Sequence, residues 1–530
     1  MTPPSPHIPR WTAAVVFAAL SFAHALVLPT FEGMDEPAHL SSILQFATGH
    51  GRPEPDKARL HATVERAISL APGPYEQWTD LRETIGATTY PEWRRLPSEE
   101  QQRRRRELDA LRVDQWRDSI RENWQAQHPP LYYALVGELV LGFGGGSFVR
   151  SHLVARLASA AMFATTGIML TVFLVTRWGA SPLSVLFVCL FPMWYVMGAR
   201  ISNDPLAIPA FGLASLLAID QLRRPPSEWS FAGWFGAGCA GALALAAKAY
   251  GLAFLPVAVT GVVIAVVQGW RGDALPAASR AGPVRGAALR RTALWRTAFW
   301  KPALWKPASW KPALWPTVAI LVTLAPNAWW LAENQANTGF ITGQNENADL
   351  VARGVVSLAD RVPYAVQLVV EQPRVLVSTL ARATTQALYV SNWTFGAAPV
   401  WFYPLQLLAL GLAVAAARRR RTPILWAAAV VAIITVGTIV VGSAKAVLDF
   451  YILFGETRLA RGWYVWGGGV ALAAALALAF DTASARVRRF VIALQVVCLL
   501  TAVATDVMFW SGHYTRHPQW RTPVAVSADR

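Results

Sequence analysis

Long apolar runs constrain this chain more than any other feature. A helix needs about 20 mostly apolar residues to cross a bilayer. Eleven segments meet that requirement, at approximately 11–29, 153–176, 182–199, 204–222, 229–247, 250–268, 314–331, 400–417, 424–443, 463–480 and 489–510. Charged residues make up only 15% of the chain, against about 25% in soluble proteins. The sequence therefore predicts an all-α polytopic membrane protein with about 11 transmembrane helices.

The net charge of +16 indicates membrane topology. Lys and Arg collect in cytoplasmic loops of membrane proteins. With a cytoplasmic N-terminus, that rule places five basic clusters inside the cell: Arg177, Arg223–Arg224, the loop 269–313, Arg418–Arg421 and Arg486–Arg489. The assignment requires that two weaker apolar stretches, 129–143 and 366–390, lie in the outer leaflet without crossing it. The basic excess is thus explained without a nucleic-acid partner.

These spans divide the chain into seven regions. They are a first transmembrane helix (1–29), an extracytoplasmic loop with juxtamembrane helices and an acidic motif (30–152), a transmembrane core (153–268), a basic cytoplasmic loop repeating Trp-Lys-Pro (269–313), a transmembrane helix with an extracytoplasmic loop (314–399), C-terminal transmembrane helices (400–510) and an extracytoplasmic tail (511–530). Within the first loop, 98–123 reads as one charged helix that opens with a Ser-x-x-Gln capping box. The prolines of the basic loop argue against a continuous helix there. That loop is either a lipid-headgroup anchor or a plain linker.

The polar motifs of the chain fall on one predicted face, the outer one. They are Asp35-Glu36, His128-Pro129-Pro130, Ser202-Asn203-Asp204, Asn334 to Gly339 and Arg458 to Tyr464. Loops that converge on one side of a membrane can build a single site. The alternative is that polar residues simply collect at the ends of spans.

Two acidic segments could supply acid–base chemistry. Asp35 and Glu36, with His39 one turn later, could act as a general base, as ligands of a metal, or as both. A solvated helix cap is the alternative for that pair. Asp204 could face Asp35 across a cleft, or could simply begin a helix.

Several cations lie near the predicted outer face. Arg458 and Arg461 are three residues apart, so both would lie on one helical face, where they could bind a phosphate. Arg156 lies inside the start of a span and needs an anionic partner there, either a lipid headgroup or a carboxylate from another loop. Lys248 and Lys445 are candidate helpers, or they snorkel to the interface.

Acidic and basic groups at the outer surface fit one reaction. Arginines could neutralise the phosphate of a lipid-phosphate sugar as it leaves. A carboxylate could deprotonate the acceptor hydroxyl that attacks the anomeric carbon. Such a donor requires no nucleotide, and no P-loop or Gly-x-Gly-x-x-Gly fingerprint follows a predicted strand in this sequence.

Together these segments resemble the GT-C superfamily of integral-membrane glycosyltransferases, and within it the bacterial DUF2142 branch. The resemblance rests on motifs in sequence order: Asp35-Glu36-Pro37-Ala38-His39, Pro129-Pro130-Leu131-Tyr132-Tyr133, Arg156-Leu157, Asn203-Asp204-Pro205, Trp329-Trp330 with Asn334 and Thr338-Gly339, and Arg461-Gly462-Trp463-Tyr464. It implies a multi-pass protein of the cell membrane whose active site faces the extracytoplasmic side.

The resemblance also implies a role for each matching residue. Asp35 would be the general base, with Glu36 its neighbour and Asp204 the second acidic group. The donor phosphate would be bound by Arg156, Arg458 and Arg461. Substrates would contact His39, His128, Tyr132, Asn203, Asn334 and Tyr464. A divalent cation is left open, with Glu36 and His39 as its candidate ligands, and no other cofactor is indicated.

The function implied is transfer of a hexosyl or pentosyl group, with inversion, from a polyprenyl-phosphate donor to a hydroxyl of a cell-envelope glycan, lipid or protein. A transporter or flippase of lipid-linked glycans is the alternative. It would favour charges at mid-membrane and inverted repeats, and the sequence shows neither. A non-catalytic scaffold would leave the outer arginines and the two acidic loops without a role.

Overall fold

The computed structural model describes residues 8–54, 57–73, 86–198, 200–278, 307–339, 341, 346–389, 398–417, 422–455 and 462–508. Within these ranges, seven helical stretches are long and apolar enough to cross a membrane: Phe148–Arg177, Asp204–Leu222, Ala249–Gln268, Lys311–Asn337, Pro423–Phe454, Tyr464–Asp481 and Ala485–Val507. Shorter apolar helices cover Thr12–Val27, Leu131–Phe143, Phe231–Ala247 and Phe402–Ala417. The prediction of an all-α polytopic membrane protein is confirmed.

The N-terminal part combines apolar helices with a small polar subdomain. Its elements are α1 (Thr12–Val27), α2 (Glu36–Ala47), β1 (Arg59–His61), α3 (Ala62–Leu70), β2 (Pro72–Gly73), β3 (Thr88–Thr89), α4 (Tyr90–Arg95), α5 (Ser98–Ala110), β4 (Asp118–Glu122) and α6 (Leu131–Phe143). Strands β1 and β4 pair antiparallel, and β2 and β3 pair parallel. Strand β1 packs against α2, and His61 N–H donates to Ser41 Oγ (3.1 Å), so this subdomain is joined to the helices.

The central part forms most of the bundle around the site. Its helices are α7 (Phe148–Leu170, continued by a π-helical turn at Thr171–Arg177), α8 (Pro182–Cys189), α9 (Met193–Gly198), α10 (Asp204–Leu222), α11 (Phe231–Ala247) and α12 (Phe254–Ala278). Helix α10 is the most buried of the candidate spans, because α7 and α11 both pack against it. Its first residue, Asp204, is therefore deep in protein.

The C-terminal part completes the bundle. Its helices are α13 (Pro307–Leu324), α14 (Ala328–Thr338), α15 (Glu346–Ala352), α16 (Leu358–Val370), α17 (Pro373–Leu388), α18 (Phe402–Ala417), α19 (Pro423–Phe454), α20 (Gly469–Asp481) and α21 (Ala485–Met508). Short 3-10 turns cover Pro226–Glu228, Ala249–Ala253, Ala325–Asn327 and Gly462–Gly468.

One predicted span is not a single helix. The run 182–199 forms α8 and α9, which are separated by Leu190 to Pro192. Proline has no N–H to donate and disfavours the helical conformation of the residue before it, so Pro192 breaks the helix although the run is apolar throughout. The expected uninterrupted helix is wrong there.

Three further boundaries differ from the predictions. Helix α5 ends at Ala110, and Asp118–Glu122 is a strand, so 98–123 is not one helix. Pro97 is the N-cap of α5 and makes no side-chain cap, so the expected Ser-x-x-Gln capping box is absent. Helix α13 begins at Pro307 and contains Pro312 and Pro316, so prolines of the repeat do enter a helix.

The stretch 366–390 is divided between two amphipathic helices. Helix α16 ends at Val370, and α17 starts at Pro373. Val362, Val366 and Val369 of α16 are exposed, whereas Arg361 on the same helix is buried. Neither helix is among the candidate spans of the described residues, and helices of this kind can lie in the plane of an interface.

Basic residues predicted to share one side do gather at one end of the bundle. The buried carboxylate of Asp220 accepts hydrogen bonds from Arg177 Nη2 (2.6 Å), Arg223 Nε (3.0 Å) and Arg224 Nη2 (2.9 Å), and from Trp178 Nε1 (3.1 Å). Most of the basic loop and all of Arg418–Arg421 lie outside the described residues. Which side of the membrane this end faces stays a prediction.

Candidate active site

The acidic motif follows α1 as a tight loop. Phe31 (φ 62°) and Asp35 (φ 61°) are the non-glycine residues with positive φ in the described part of the chain. Left-handed backbone costs free energy in L-residues, and such strain concentrates at functional sites. Here the loop is held by packing, since the Phe31 ring contacts those of Phe148 (5.8 Å) and His152 (5.6 Å). The strained segment ends at the N-terminus of α2.

Glu36 is wholly buried and bound to Arg156 of α7. Arg156 Nε donates to Glu36 Oε1 (3.0 Å), and Nη2 donates to Oε2 (2.6 Å). The remaining guanidinium donors bind the carbonyl oxygens of Leu28 and Pro29. Arg156 therefore receives the second of its two predicted kinds of partner, a carboxylate from another loop. This ion pair fastens the end of α1 and the start of α2 to α7.

The environment of Glu36 fixes its charge. Burial alone would raise the pKa of this carboxyl, but Arg156 and His152 outweigh burial and hold the pKa well below its usual value. Oε1 also accepts a hydrogen bond from the backbone N–H of Ile201 (3.1 Å). A Cβ at Gly33 would lie 2.5 Å from Glu36 Cδ, so only glycine leaves room for this side chain. Glu36 thus links the acidic motif to the segment before Asp204.

Asp35, next to Glu36, has a different environment. It is half-buried, whereas Glu36 is fully buried. Trp124 Nε1 donates to Asp35 Oδ1 at 3.1 Å. Asp35 is the N-cap residue of α2 but makes no side-chain cap, so its carboxylate does not close the first turn of that helix.

Asp204 lies between two cations at the start of α10. Arg200 Nη2 donates to Asp204 Oδ2 (3.0 Å), and Lys248 Nζ donates to Oδ1 (2.7 Å). Ser202 Oγ is a further donor to Oδ2 at 3.4 Å. Asp204 and Arg200 are only 1% and 3% exposed. One carboxylate pairs with two cations, so the described residues of this cluster carry a surplus positive charge.

Lys248 reaches this cluster between two aromatic rings. Its Nζ lies 4.8 Å from the ring centroid of Tyr250 and 5.6 Å from that of Tyr464, within the range of a cation–π interaction. The two rings meet edge to face at 6.4 Å. The sequence predicted Tyr464 at the site and Lys248 as a helper, and the structure places them in contact.

Two histidines and a tyrosine form a stack beside this cluster. His39 Nδ1 is hydrogen-bonded to Tyr133 Oη (2.8 Å), and the His39 ring stacks on Tyr133 (5.8 Å) and His128 (6.0 Å). Burial, together with the neighbouring His128 and the positive charge of Lys248, lowers the pKa of His39 well below its usual value. Burial and Lys248 lower the pKa of His128 to about 3. Both imidazoles are therefore neutral at physiological pH.

Other predicted residues serve to pack the site. Tyr132 is fully buried and shares a hydrogen bond with Ser159 of α7 (2.7 Å), and its contact with a substrate stays a prediction. Asn203 Nδ2 donates to the carbonyl oxygen of Ala247 (3.0 Å). Asn334 of α14 is buried and donates to Ile341 O (3.2 Å).

Arg458 and Arg461 lie outside the described residues, so their predicted role stays a prediction.

Sequence reasoning missed Arg200 and Tyr133. Arg200 stands four residues before Asp204, a spacing typical of ion pairs on a helix, but a turn occupies this segment. Tyr133 follows the predicted site residue Tyr132 on α6. The rotation of that helix about its axis decides which of these two tyrosines faces His39.

Glu36 and His39 do not form a metal pair. Glu36 faces Arg156, and His39 faces Tyr133. The described part of the chain contains no group of three or more His, Cys, Asp or Glu side chains able to hold a metal ion.

The fold and this site define a polytopic membrane protein with a charged site at the ends of its helices. The chain belongs to the DUF2142 family, described as predicted membrane proteins, whose model matches residues 17–460. The resemblance to that family is thereby confirmed. Among curated proteins, none matches the chain.

Solved structures similar to the chain include an oligosaccharyltransferase of Archaeoglobus fulgidus. The complex of this enzyme, AglB, with an inhibitory peptide and a dolichol-phosphate is 13% identical with a TM-score of 0.39, covering 96% of this chain and 56% of that one. A complex with Zn and sulfate is 13% identical with a TM-score of 0.38, covering 95% of this chain and 53% of that one. The apo form is 14% identical with a TM-score of 0.39, covering 94% of this chain and 56% of that one. The chain thus spans little more than half of that enzyme. At these TM-scores, no residue of the enzyme is carried over to this chain.

Proposed function

We propose that this protein is a membrane glycosyltransferase. It transfers a sugar from a polyprenyl-phosphate donor to a hydroxyl group of a cell-envelope glycan, lipid or protein, on the extracytoplasmic side of the cell membrane. The observation that carries the proposal is the state of three carboxylates in one site: Glu36 and Asp204 are buried and bound to cations, whereas Asp35 is half-exposed at the surface of the loop.

Asp35 is the general base of the proposed reaction. Its carboxylate accepts the proton of the acceptor hydroxyl as the oxygen attacks the anomeric carbon. The bond between that carbon and the phosphate oxygen breaks, and the polyprenyl phosphate leaves with the electron pair. Glu36 and Asp204 are already held by cations, so neither offers a free nucleophile for a second displacement. A single displacement inverts the anomeric centre.

The other residues support this reaction. Glu36 and Arg156 position the loop that carries Asp35, and this assignment replaces a phosphate-binding role for Arg156 because its donors bind protein oxygens. The neutral pair His39 and His128 lines the sugar path without adding charge. Arg458 and Arg461, together with Tyr464, are the candidates for the exit of the phosphate.

The test measures sugar release from radiolabelled polyprenyl-phosphate monosaccharides in membranes that contain the protein. Wild type consumes the donor, and Asp35→Asn lowers the rate by about 10²- to 10⁴-fold, the usual contribution of a general base. Asp114→Asn is the matched control, because Asp114 is an exposed carboxylate of the same loop outside the site, and it keeps the wild-type rate.

Four outcomes would contradict the proposal. A panel of hexosyl and pentosyl donors that all stay intact would exclude the transferase. A donor that crosses the bilayer intact would favour a flippase. Full activity of Asp35→Asn would remove Asp35 as the base, and a product with the anomeric configuration of the donor would exclude the single displacement.

A further inference from the structure

The guanidinium of Arg200 has buried donors without partners. Its Nη2 binds Asp204 and lies 3.8 Å from Met197 Sδ. Its Nε and Nη1 atoms are inaccessible to solvent and have no hydrogen-bond partner among the residues that the structure describes. Leaving a buried donor unsatisfied costs about 1–3 kcal/mol, and more when the group is charged. The native protein is therefore expected to place an acceptor against this edge of Arg200.

The charge of the cluster indicates what kind of acceptor this is. Two cations, Arg200 and Lys248, share one carboxylate. His39 and His128 are neutral beside them, so they neither add to this charge nor cancel it. A buried cation that lacks full compensation is strongly destabilising, and an anion with several oxygens would provide both the missing charge and the missing acceptors.

The surroundings indicate where such an anion comes from. Arg200 follows α9, all of whose residues are buried, and precedes the apolar helix α10. The rings of Tyr250 and Tyr464 flank Lys248. The segments that flank Arg200 and the rings that flank Lys248 are thus apolar or aromatic, which suits the head of an amphiphile more than a hydrated ion.

We propose that Arg200 and Lys248 form a phosphate-binding group of this protein, beside the candidates Arg458 and Arg461, and that they bind the phosphate of a prenyl lipid. Arg200 receives phosphate oxygens on its unpaired Nε and Nη1 donors, since a guanidinium matches the geometry of a phosphate. Lys248 neutralises the remaining charge from the other side of Asp204. The identity of the lipid rests on the proposed function, whereas the phosphate site rests on the geometry alone.

The test measures binding of farnesyl phosphate, inorganic phosphate and farnesol to the purified full-length protein in detergent. Wild type binds farnesyl phosphate in preference to the other two. Arg200→Gln weakens that binding about 10- to 100-fold, as expected for the loss of charged hydrogen bonds, and Arg200→Lys weakens it less. Arg177→Gln is the matched control, because Arg177 pairs with the carboxylate of Asp220 at the other end of α10, and it binds as wild type does.

A second variant guards against simple misfolding. Asp204→Asn removes the carboxylate that competes for both cations, so it binds farnesyl phosphate more tightly than wild type. A purely structural role for Arg200 and Asp204 would weaken binding in both variants. The opposite signs of the two changes are therefore the signature of a phosphate site.

The remaining outcomes are equally decisive. Equal binding by wild type and Arg200→Gln, or no binding of either phosphate by wild type, would overturn the site. Inorganic phosphate that binds as tightly as farnesyl phosphate would overturn the lipid source. Arg200-dependent binding in a protein that transfers no sugar would overturn the proposed function alone, and sugar transfer with unchanged binding by Arg200→Gln would overturn this inference alone.

Discussion

At the residue scale, Asp35 and Glu36 show how two neighbouring carboxylates acquire different tasks. Asp35 has left-handed backbone and Glu36 begins α2, so their side chains diverge within one peptide unit. Glu36 is turned inward onto Arg156, and Asp35 stays near the surface beside Trp124. The buried pair fastens α2 to α7, and the half-exposed carboxylate of Asp35 is the proposed general base.

The Glu36–Arg156 pair is expected to be critical for stability. Arg156→Met leaves Glu36 buried without its partner, and breaking a buried ion pair costs about 3–5 kcal/mol. The double variant Glu36→Gln with Arg156→Met is less destabilised than the sum of the two single variants, because no unpaired charge remains. Chemical unfolding in detergent, followed by the loss of helical signal, measures all three.

Arg150→Met is the control for this pair. Arg150 lies on α7, as Arg156 does, but is exposed, and such surface changes usually stay within about 0.5 kcal/mol. Additive effects of the two buried substitutions would show that Glu36 and Arg156 do not depend on each other.

At the element scale, α2 is the piece that organises the outer loop. Its N-terminus is fixed to α7 through Glu36, and its middle is fixed to α6 through the hydrogen bond of His39 with Tyr133. On another face, Asn123 Nδ2 donates to Ser42 Oγ (3.0 Å). A short, largely buried helix thus joins the polar subdomain to the bundle.

The packing of α2 on α6 is expected to weaken in acid. The pKa of His39 is far below its usual value in the fold but near 6.5 in the unfolded chain. Above about pH 6.5 neither state binds the proton, and below it only the unfolded state does, so the free energy of unfolding falls by about 1.4 kcal/mol per pH unit for this group. His128, with its pKa lowered to about 3, acts in the same direction.

Thermal unfolding in detergent between pH 8 and pH 5 measures this effect. His39→Gln keeps a polar contact to Tyr133 and flattens the dependence on pH below 6.5. His50→Gln is the control, because His50 is exposed at the end of α2, and it keeps the wild-type slope. A slope that His39→Gln leaves unchanged would show that His39 does not cause it.

At the scale of the whole molecule, α10 separates two charged clusters. Asp204, the first residue of α10, binds Arg200 and Lys248. Asp220, in the last turn of α10, binds Arg177, Arg223 and Arg224. Sixteen residues of helix measure ~24 Å, a large part of the ~30 Å hydrocarbon thickness of a bilayer. The two clusters are therefore expected near opposite faces of the membrane.

Labelling of single cysteines tests this orientation. In a background in which the exposed Cys239 is replaced by alanine and Cys189 and Cys498 stay buried, Arg105→Cys on α5 and Ser227→Cys after α10 are both exposed positions. An impermeant maleimide labels Arg105→Cys in intact cells and labels Ser227→Cys only after the membrane is opened. The reverse pattern would invert the proposed topology, and labelling of both in intact cells would place the clusters on one side.

The sequence by itself determined the class of this protein and most of its spans. Apolar runs are decisive because a backbone in lipid must satisfy its own hydrogen bonds, which a helix does within one segment. The same local signals located the acidic motif at Asp35, the turn at Asp204 and the His128-Pro129-Pro130 motif. Pro192, which divides one predicted span, is also visible in the sequence. The apolar residues on both sides of it nevertheless predicted a single span.

Only the tertiary structure decided the task of each charged group. Asp35 and Glu36 are adjacent carboxylates, and the sequence does not show which of them is buried. For Arg156 the sequence left two kinds of partner possible, a lipid headgroup or a carboxylate. The unpaired donors of Arg200 have no local signature, because they depend on how α9, α10 and α11 meet. Burial and ion pairing are properties of several segments packed together, and these properties set the free energy of a charge.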